Sequence, residues 1–226
     1  MQGIIFDLDG TLLDSMPIWE DIASRYIRQK GYEPKEGLDK IIYPMSMMQA
    51  AIYMKKEYGL KETPKQMIIE VNEIVGDFYR YEVKAKPGVE HFLAEGKKQG
   101  IRMCIATASE RELVEAALKR LGMESYFEGI LTCSELHTGK DTPEIYYKGM
   151  ALLGTNQEDT LIYEDALHAI ETAVQAGFTV IGVYDDSAKK EQALIRTLAN
   201  RYITSFEEET IHIGEKKVQK REGKER

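Results

Sequence analysis

The chain has 226 residues, of which 43% are hydrophobic and 30% are charged, and its formal net charge is −8. This length fits one domain with a smaller domain inserted into it, and the composition is typical of globular proteins. The acidic charge argues against nucleic acid or an anionic membrane as the main partner, and no apolar stretch is long enough to span a bilayer.

The two cysteines, Cys104 and Cys133, both lie in apolar runs, which favours free thiols over a disulfide. The first residues lack the basic segment followed by an apolar one that marks a secretion signal. We therefore expect a cytoplasmic protein that is a monomer and whose partner is a small molecule.

Strand-like and helix-like segments alternate along most of the chain. The strand-like runs are Gly3–Leu8, Ile101–Ala106, Gly129–Thr132, Thr160–Tyr163, Thr179–Val183 and Tyr202–Thr204. The helical patterns between them are Val89–Lys98, Glu110–Leu121, Pro143–Leu153, Ala166–Gln175 and Ala188–Ala199. This alternation predicts an α/β protein with a Rossmann-like parallel sheet and helices on both of its faces.

Residues 15–84 interrupt the alternation because every pattern in them is helical. Two capping boxes begin helices in this segment, Ser46-Met47-Met48-Gln49 and Thr63-Pro64-Lys65-Gln66. The chain then returns to the strand–helix pattern through Ala85-Lys86-Pro87-Gly88, which we predict to be a hinge. The predicted organisation is a catalytic core at 1–14 and 85–213, a helical cap at 15–84, and a charged, disordered tail at 214–226.

Polar residues stand at the carboxyl ends of four of the predicted strands or in the loops after them. In strand order they are Asp7 and Asp9, then Thr107, then Lys140, and finally Glu164 and Asp165. Ligands of open parallel sheets bind at the carboxyl ends of the strands, so we expect these side chains to converge. Each residue alone could be a helix cap or a solvated side chain, but all of them together favour a functional site.

Physical chemistry indicates a reaction for such a group. Crowded carboxylates repel one another unless a cation lies among them, and oxygen ligands suit Mg²⁺, which also binds phosphate oxygens. A carboxylate can attack phosphorus to give an aspartyl-phosphate, while a lysine and a hydroxyl hold the phosphoryl oxygens. A second carboxylate can protonate the leaving oxygen and then activate water. Asp7 and Asp9 would divide these two duties.

Phe6-Asp7-Leu8-Asp9-Gly10-Thr11, together with the residues at the other three strand ends, resembles the four motifs of the haloacid dehalogenase superfamily in order and spacing. The helical segment 15–84 is similar to the small cap of that superfamily. The resemblance implies a phosphatase or phosphomutase, and because Asp9 is present it implies phosphorus chemistry rather than dehalogenation. The most frequent outcome is Mg²⁺-dependent hydrolysis of a small phosphorylated metabolite.

The resemblance also implies roles for individual residues. Asp7 would be the nucleophile and Asp9 the general acid and base, with Thr107 and Lys140 gripping the phosphoryl group. The metal ligands would be Asp7, the backbone carbonyl of Asp9, Glu164 and Asp165. The residues that shape the phosphate site through their backbone would be Gly10, Thr11, Ala108 and Ser109.

Three alternatives stay open. A phosphosugar mutase of the same fold usually has a histidine just inside the first cap helix, where this chain has Ile18-Trp19. A non-catalytic phospho-switch of the receiver type is shorter, lacks the inserted helices, and has its phosphorylated Asp on a later strand. A binding protein on an inactive core is the third.

In the cap, Trp19 is the expected substrate contact, and the other candidates to face the site are Lys40, Tyr43, Met45 and Met48.

Overall fold

The structure is a computed structural model that describes residues 2–42, 45 and 47–210. The predicted tail at 214–226, the cap candidate Tyr43 and the capping residue Ser46 lie outside the described residues.

The core of the protein is a six-stranded sheet with the strand order β3-β2-β1-β4-β5-β6. Its strands are Gly3–Phe6 (β1), Arg102–Thr107 (β2), Ile130–Thr132 (β3), Thr160–Glu164 (β4), Thr179–Val183 (β5) and Arg201–Ile203 (β6). Every pair of neighbouring strands is parallel. The predicted α/β fold with a parallel, Rossmann-like sheet is therefore confirmed.

Ten α-helices surround or follow the sheet in the described part of the chain. They are Pro17–Gln29 (α1), Leu38–Ile42 (α2), Met47–Tyr58 (α3), Pro64–Asp77 (α4), Val89–Lys98 (α5), Arg111–Leu121 (α6), Cys133–Leu136 (α7), Glu144–Leu153 (α8), Leu167–Gln175 (α9) and Gln192–Leu198 (α10). A π-helical turn, Phe78–Glu82, directly follows α4. The first four α-helices and this turn belong to the predicted cap.

Several predicted boundaries differ from the observed ones by a single residue, and two differ by more than one residue for identifiable reasons. The first strand ends at Phe6 instead of Leu8, because the backbone turns and the carbonyl of Leu8 accepts from the amides of Leu12 and Leu13. The last helix begins at Gln192 rather than Ala188, because a short 3₁₀ turn precedes it. The first difference matters for the site, since Asp7 and Asp9 lie in a loop at the strand end.

The two faces of the central strand lie in separate apolar cores, because side chains alternate across a strand. On one face the ring of Phe6 packs against Phe92 and Tyr163, with centroids 6.2 and 5.2 Å away. On the other face Ile5 packs with the buried residues Cys104 and Tyr146. Cys104 is buried and Cys133 is half-buried, and both are free thiols.

The cap helices share a hydrophobic core that includes Met54, Met67 and Val71. The predicted capping box at Thr63 is present, and its side chain accepts from the amide of Gln66. None of the helices in the described residues combines the length and apolarity that a bilayer crossing needs.

The two segments that join cap and core run side by side. The amide of Lys86 donates to the carbonyl of Leu12, and the amide of Asp14 donates to the carbonyl of Lys84, both at 2.9 Å. Leu13 and Ala85 form an antiparallel bridge between these bonds. The segment that enters the predicted cap and the segment that leaves it are thus held together by backbone hydrogen bonds.

Candidate active site

The carboxyl ends of β1 and β4 bring three acidic side chains together. Asp7 follows β1, Glu164 ends β4, and Asp165 is the next residue; each side chain is buried. One carboxylate oxygen from each lies within 4.8 Å of the others. Three buried oxygen donors at this separation could hold a metal ion.

Lys140 is the cation that pairs with this acidic group. It is buried, and its ammonium donates to the carboxylate of Asp7 and to Oε2 of Glu164, the latter at 2.7 Å. Lys140 lies in the loop between α7 and α8 rather than directly after β3, and this loop reaches the same point as the ends of β1 and β4. A buried ammonium between two carboxylates compensates part of their charge.

The pKa values reflect the excess of acidic groups over bases. Burial, followed by the charge of Glu164, raises the pKa of Asp7 well above its ordinary value. The same two causes raise the pKa of Asp165 to about 7. Burial lowers the pKa of Lys140, but the carboxylates of Asp7 and Glu164 outweigh burial and raise it well above normal. One ammonium does not neutralise three carboxylates, so the site favours a further cation.

Gly10 and Thr11 fix the position of the Asp165 carboxylate. Gly10 has a φ of +79°, and a Cβ added there would lie 2.3 Å from Oδ2 of Asp165. The hydroxyl of Thr11 donates to Oδ1 of Asp165 at 2.8 Å. A glycine is therefore required for both the backbone conformation and the close approach of the acid.

The carboxylate of Asp9 accepts hydrogen bonds from three hydroxyls. Ser15 donates to Oδ1 and Ser109 to Oδ2, each at 2.6 Å, and the phenol of Tyr79 also donates to Oδ1. Burial and then the charge of Asp9 raise the pKa of Tyr79, so the phenol keeps its proton and remains a donor. The side chain of Asp9 is thus held between hydroxyls of the cap segment and of the core.

Thr107 ends β2 beside these groups and is completely buried. Its hydroxyl accepts from the amide of Ser109 at 3.0 Å, which closes the turn after the strand. Ser109 was predicted to shape the phosphate site through its backbone, and the structure adds a contact of its hydroxyl with Asp9. No signal in the sequence distinguished this role from that of a surface serine.

Lys86, predicted as part of a hinge, is a second cation near the strand ends, with a side chain that is 14% exposed. Its ammonium donates to the carbonyls of Gly10 and Tyr184, each at 2.5 Å, and to Oδ2 of Asp185 at 2.8 Å. Lys86 therefore ties the loop after β1 to the end of β5. Asp185 also caps the following turn by accepting from the amide of Ser187.

A cavity of about 450 Å³ lies between cap and core next to Ser109. It is lined by Trp19, Asn72, Val75 and Arg80 of the cap and by Ala108, Ser109, Glu110, Glu112 and Leu113 of the core. Trp19 and Ala108, which were both predicted to contact the substrate, thus line the same cavity, which is called the cleft below. Among the described residues, the other predicted cap candidates, Lys40, Met45 and Met48, are not in its lining, and Met45 instead lines a shallow depression on the cap surface.

Residues 4–183 match the family model described as haloacid dehalogenase-like hydrolase. The chain belongs to the haloacid dehalogenase-like hydrolase family. The predicted membership in this superfamily is therefore confirmed, and so is the prediction that the chain is a hydrolase.

Known members of the family resemble the chain over most of its length. The hexitol phosphatase A of Escherichia coli is 31% identical over 185 residues, which cover 80% of this chain and 82% of that protein. The phosphorylated carbohydrates phosphatase of Thermotoga maritima is 28% identical over 178 residues, with 78% and 82% covered. A solved structure from Thermotoga maritima, described as a candidate beta-phosphoglucomutase, superposes with a TM-score of 0.79 at 25% identity and covers 90% of this chain and 94% of that one.

Proposed function

We propose that this family member is a Mg²⁺-dependent phosphatase that hydrolyses a small phosphate monoester through a phosphorylated Asp7. The observation that carries the proposal is the burial of Asp7 among Glu164, Asp165 and Lys140 at the strand ends. A nucleophilic carboxylate, a set of oxygen ligands and a fixed ammonium are the groups that phosphoryl transfer to a carboxylate needs.

The donor set fits Mg²⁺. The three carboxylates offer hard oxygen ligands, and their negative charge exceeds that of the single ammonium beside them. Asp7, Glu164 and Asp165 would hold the ion, and the backbone carbonyl of Asp9 would contribute as well. Bound there, Mg²⁺ would offset the charge of the carboxylates and of the phosphoryl oxygens.

In the first step, an oxygen of Asp7 forms a bond to phosphorus while the bond from phosphorus to the leaving oxygen breaks. Asp9 donates a proton to that oxygen, so the alcohol leaves as a neutral molecule. Lys140, whose ammonium already contacts Asp7, is near enough to shift toward the phosphoryl oxygens. The Thr107 hydroxyl would provide a further donor.

In the second step, water attacks the phosphorus of the phosphorylated Asp7. Asp9 now takes a proton from this water, and the bond between phosphorus and Asp7 breaks. Inorganic phosphate leaves, and Asp7 is a carboxylate again. Asp9 regains in this step the proton that it gave in the first, so the cycle balances.

The cleft and the relatives both support a phosphorylated carbohydrate or similar polyol as substrate. A volume of about 450 Å³ is enough for such a small molecule. Trp19 offers a ring face, while Asn72, Arg80 and Glu110 offer hydrogen-bonding groups for hydroxyls. Two similar proteins are a hexitol phosphatase and a phosphorylated carbohydrates phosphatase.

The likeness to a candidate beta-phosphoglucomutase keeps phosphosugar mutase as the second candidate. A mutase would return the phosphoryl group to another hydroxyl of the sugar, so its cleft would have to accept a second phosphate. Glu110 and Glu112 line the cleft here and would repel that group. Hydrolysis is therefore the better supported outcome.

We also propose that residues 15–84 act as a cap over a core formed by 1–14 and 85–213. The paired linkers near Leu13 and Ala85 would serve as the hinge. Crystals with and without a phosphate analogue should differ in the cap–core distance, and an open cleft of unchanged width in both would contradict the cap movement.

The experiment is a screen for inorganic phosphate release over sugar phosphates, polyol phosphates and nucleotides, with Mg²⁺ and with chelator. The Asp7→Asn variant should lose turnover, while the control Asp21→Asn, at a half-exposed cap position paired with Arg25, should keep it. Isomerised sugar phosphate without free phosphate would instead support the mutase. Near-normal turnover by a folded Asp7→Asn variant would refute the nucleophile.

A further inference from the structure

Asp9 is held by hydroxyls from three separate segments. Ser15 stands in the connection that enters the cap, Ser109 follows β2, and Tyr79 lies where the chain leaves the cap. The hydroxyls of Ser15 and Tyr79 share Oδ1, while Ser109 takes Oδ2. Both oxygens of the acid are thereby fixed, and one of the three donors is a large, fully buried ring.

The backbone around Tyr79 is irregular in a way that turns its ring toward Asp9. Helix α4 does not end in an ordinary cap but continues into the π-helical turn Phe78–Glu82. Such turns are rare and are often found at functional sites. The ring of Phe78 packs edge-on against Tyr79, with centroids 5.9 Å apart.

A core residue fastens this turn. Arg120, on α6, donates to the carbonyl of Val83 and, at 3.5 Å, to the carbonyl of Tyr79. The phenol is therefore anchored to the core through Arg120, although Tyr79 belongs to the cap by sequence. We therefore expect the phenol to stay within hydrogen-bond reach of Asp9 when the cap helices before it move.

We propose that Tyr79 is a positioning residue that aims the Asp9 carboxyl at the leaving oxygen of the substrate. This role rests on the proposed function, in which Asp9 transfers the proton. Without the phenol, Oδ1 keeps only Ser15, which lies in a linker, and the Asp9 side chain gains rotational freedom. Proton transfer depends on such orientation, so the loss should fall on the step that needs the proton.

The test compares two esters of different leaving-group quality, a polyol phosphate and p-nitrophenyl phosphate. An alkoxide needs a proton in order to leave, whereas nitrophenolate does not. For Tyr79→Phe, rapid-quench single turnovers should show cleavage of the polyol phosphate slowed by about 10–100-fold, within the range of general acid catalysis. Release of nitrophenolate from p-nitrophenyl phosphate should slow by less than about 3-fold, and the apparent Kd of both esters should change little. Single turnovers are needed because the breakdown of phosphorylated Asp7, which also uses Asp9, is common to the two esters.

Tyr26→Phe is the matched control. Tyr26 is also a fully buried cap tyrosine whose phenol donates to a carboxylate, that of Glu70, at 2.7 Å. Its loss should leave the ratio of the two rates unchanged. If Tyr79→Phe does not fold, Arg120→Met tests the same idea, because a loosened turn should reduce the polyol phosphate rate selectively.

In single turnovers, equal losses on the two esters, or an undiminished rate on the polyol phosphate, would overturn the role of Tyr79 and leave the phosphatase proposal standing. A wild-type protein that releases phosphate from neither ester would instead refute the proposed function, and the role of Tyr79 with it. A selective loss in Tyr79→Phe that is absent in Tyr26→Phe supports the assignment.

Discussion

Replacing Lys140 by Met should strongly destabilise the metal-free protein. The side chain is only 7% exposed, and its ammonium contacts Asp7 and Glu164. Methionine has a similar length and no charge, so it fills the space and leaves two buried carboxylates without their cation. Breaking a buried ion pair from one side costs about 3–5 kcal/mol, and we expect a loss in this range.

The assay is urea unfolding of the metal-free protein at pH 8 and pH 5.5. At pH 5.5 protonation of Asp7 should reduce the loss, since burial and the charge of Glu164 already raise the pKa of Asp7. Lys148→Met is the control, because Lys148 forms a half-exposed i,i+4 pair with Glu144 and should cost only about 0.3–0.5 kcal/mol. Mg²⁺ should restore part of the stability of the Lys140 variant at pH 8.

A loss below about 1 kcal/mol at pH 8 would refute this reasoning. It would mean that water, or a shift of the loop between α7 and α8, compensates the negative charge of Asp7 and Glu164. Lys140 would then not be what holds these two carboxylates together. A loss that is the same at both pH values would also contradict it, because charge would then not be the cause.

The remaining predictions concern the metal site, the loop after β1 and the acid/base residue. The folded pKa of Asp165 is about 7 against 3.8 for an ordinary Asp, so its contribution to stability is present at low pH and is lost as the pH rises toward 7. Thermal unfolding of the metal-free protein and of its Asp165→Asn variant should show this loss as a difference in Tm that changes with pH. A Tm difference that stays constant with pH would contradict it. Mg²⁺ should raise Tm more at pH 8 than at pH 5.5. Gly10→Ala should reduce activity at least about 10-fold, because the added Cβ displaces Asp165 and strains a positive φ. Gly31→Ala is the control: its φ of +82° is equally strained, but it lies in open space and should keep its activity. Equal activities of the two variants would show that the close approach of Gly10 to Asp165 is unimportant. Asp9→Asn should slow hydrolysis of a polyol phosphate by about 10²–10⁴-fold and release of nitrophenolate far less; equal losses in rapid-quench kinetics would assign the proton to another group.

The parts of the site that the sequence predicted are the ones set by local pattern. A run such as Gly3-Ile4-Ile5-Phe6 forms a buried strand, and parallel strands end at one edge of the sheet, so Asp7 and Glu164 had to approach each other. Even so, the prediction carried the strand to Leu8, because hydrophobicity alone does not reveal a backbone turn.

The parts that escaped prediction depend on contacts between distant residues. Tyr79 lies 70 positions from Asp9, and Lys86 lies 99 positions from Asp185. The direction of the phenol follows from a π-helical turn, and the three hydrogen bonds of Lys86 follow from the approach of the loop after β1 to the residues that follow β5. Neither has a periodic signature in the sequence.

The central claim, a phosphoryl group carried by Asp7, is tested most directly by trapping it. The Asp9→Asn variant should form the intermediate from p-nitrophenyl phosphate and break it down slowly, so acid quenching should capture it. Borohydride converts an aspartyl-phosphate to homoserine, and mass spectrometry of the peptide containing position 7 should show homoserine there. A burst of nitrophenol with no modification at Asp7, or with phosphate on another residue, would contradict the account.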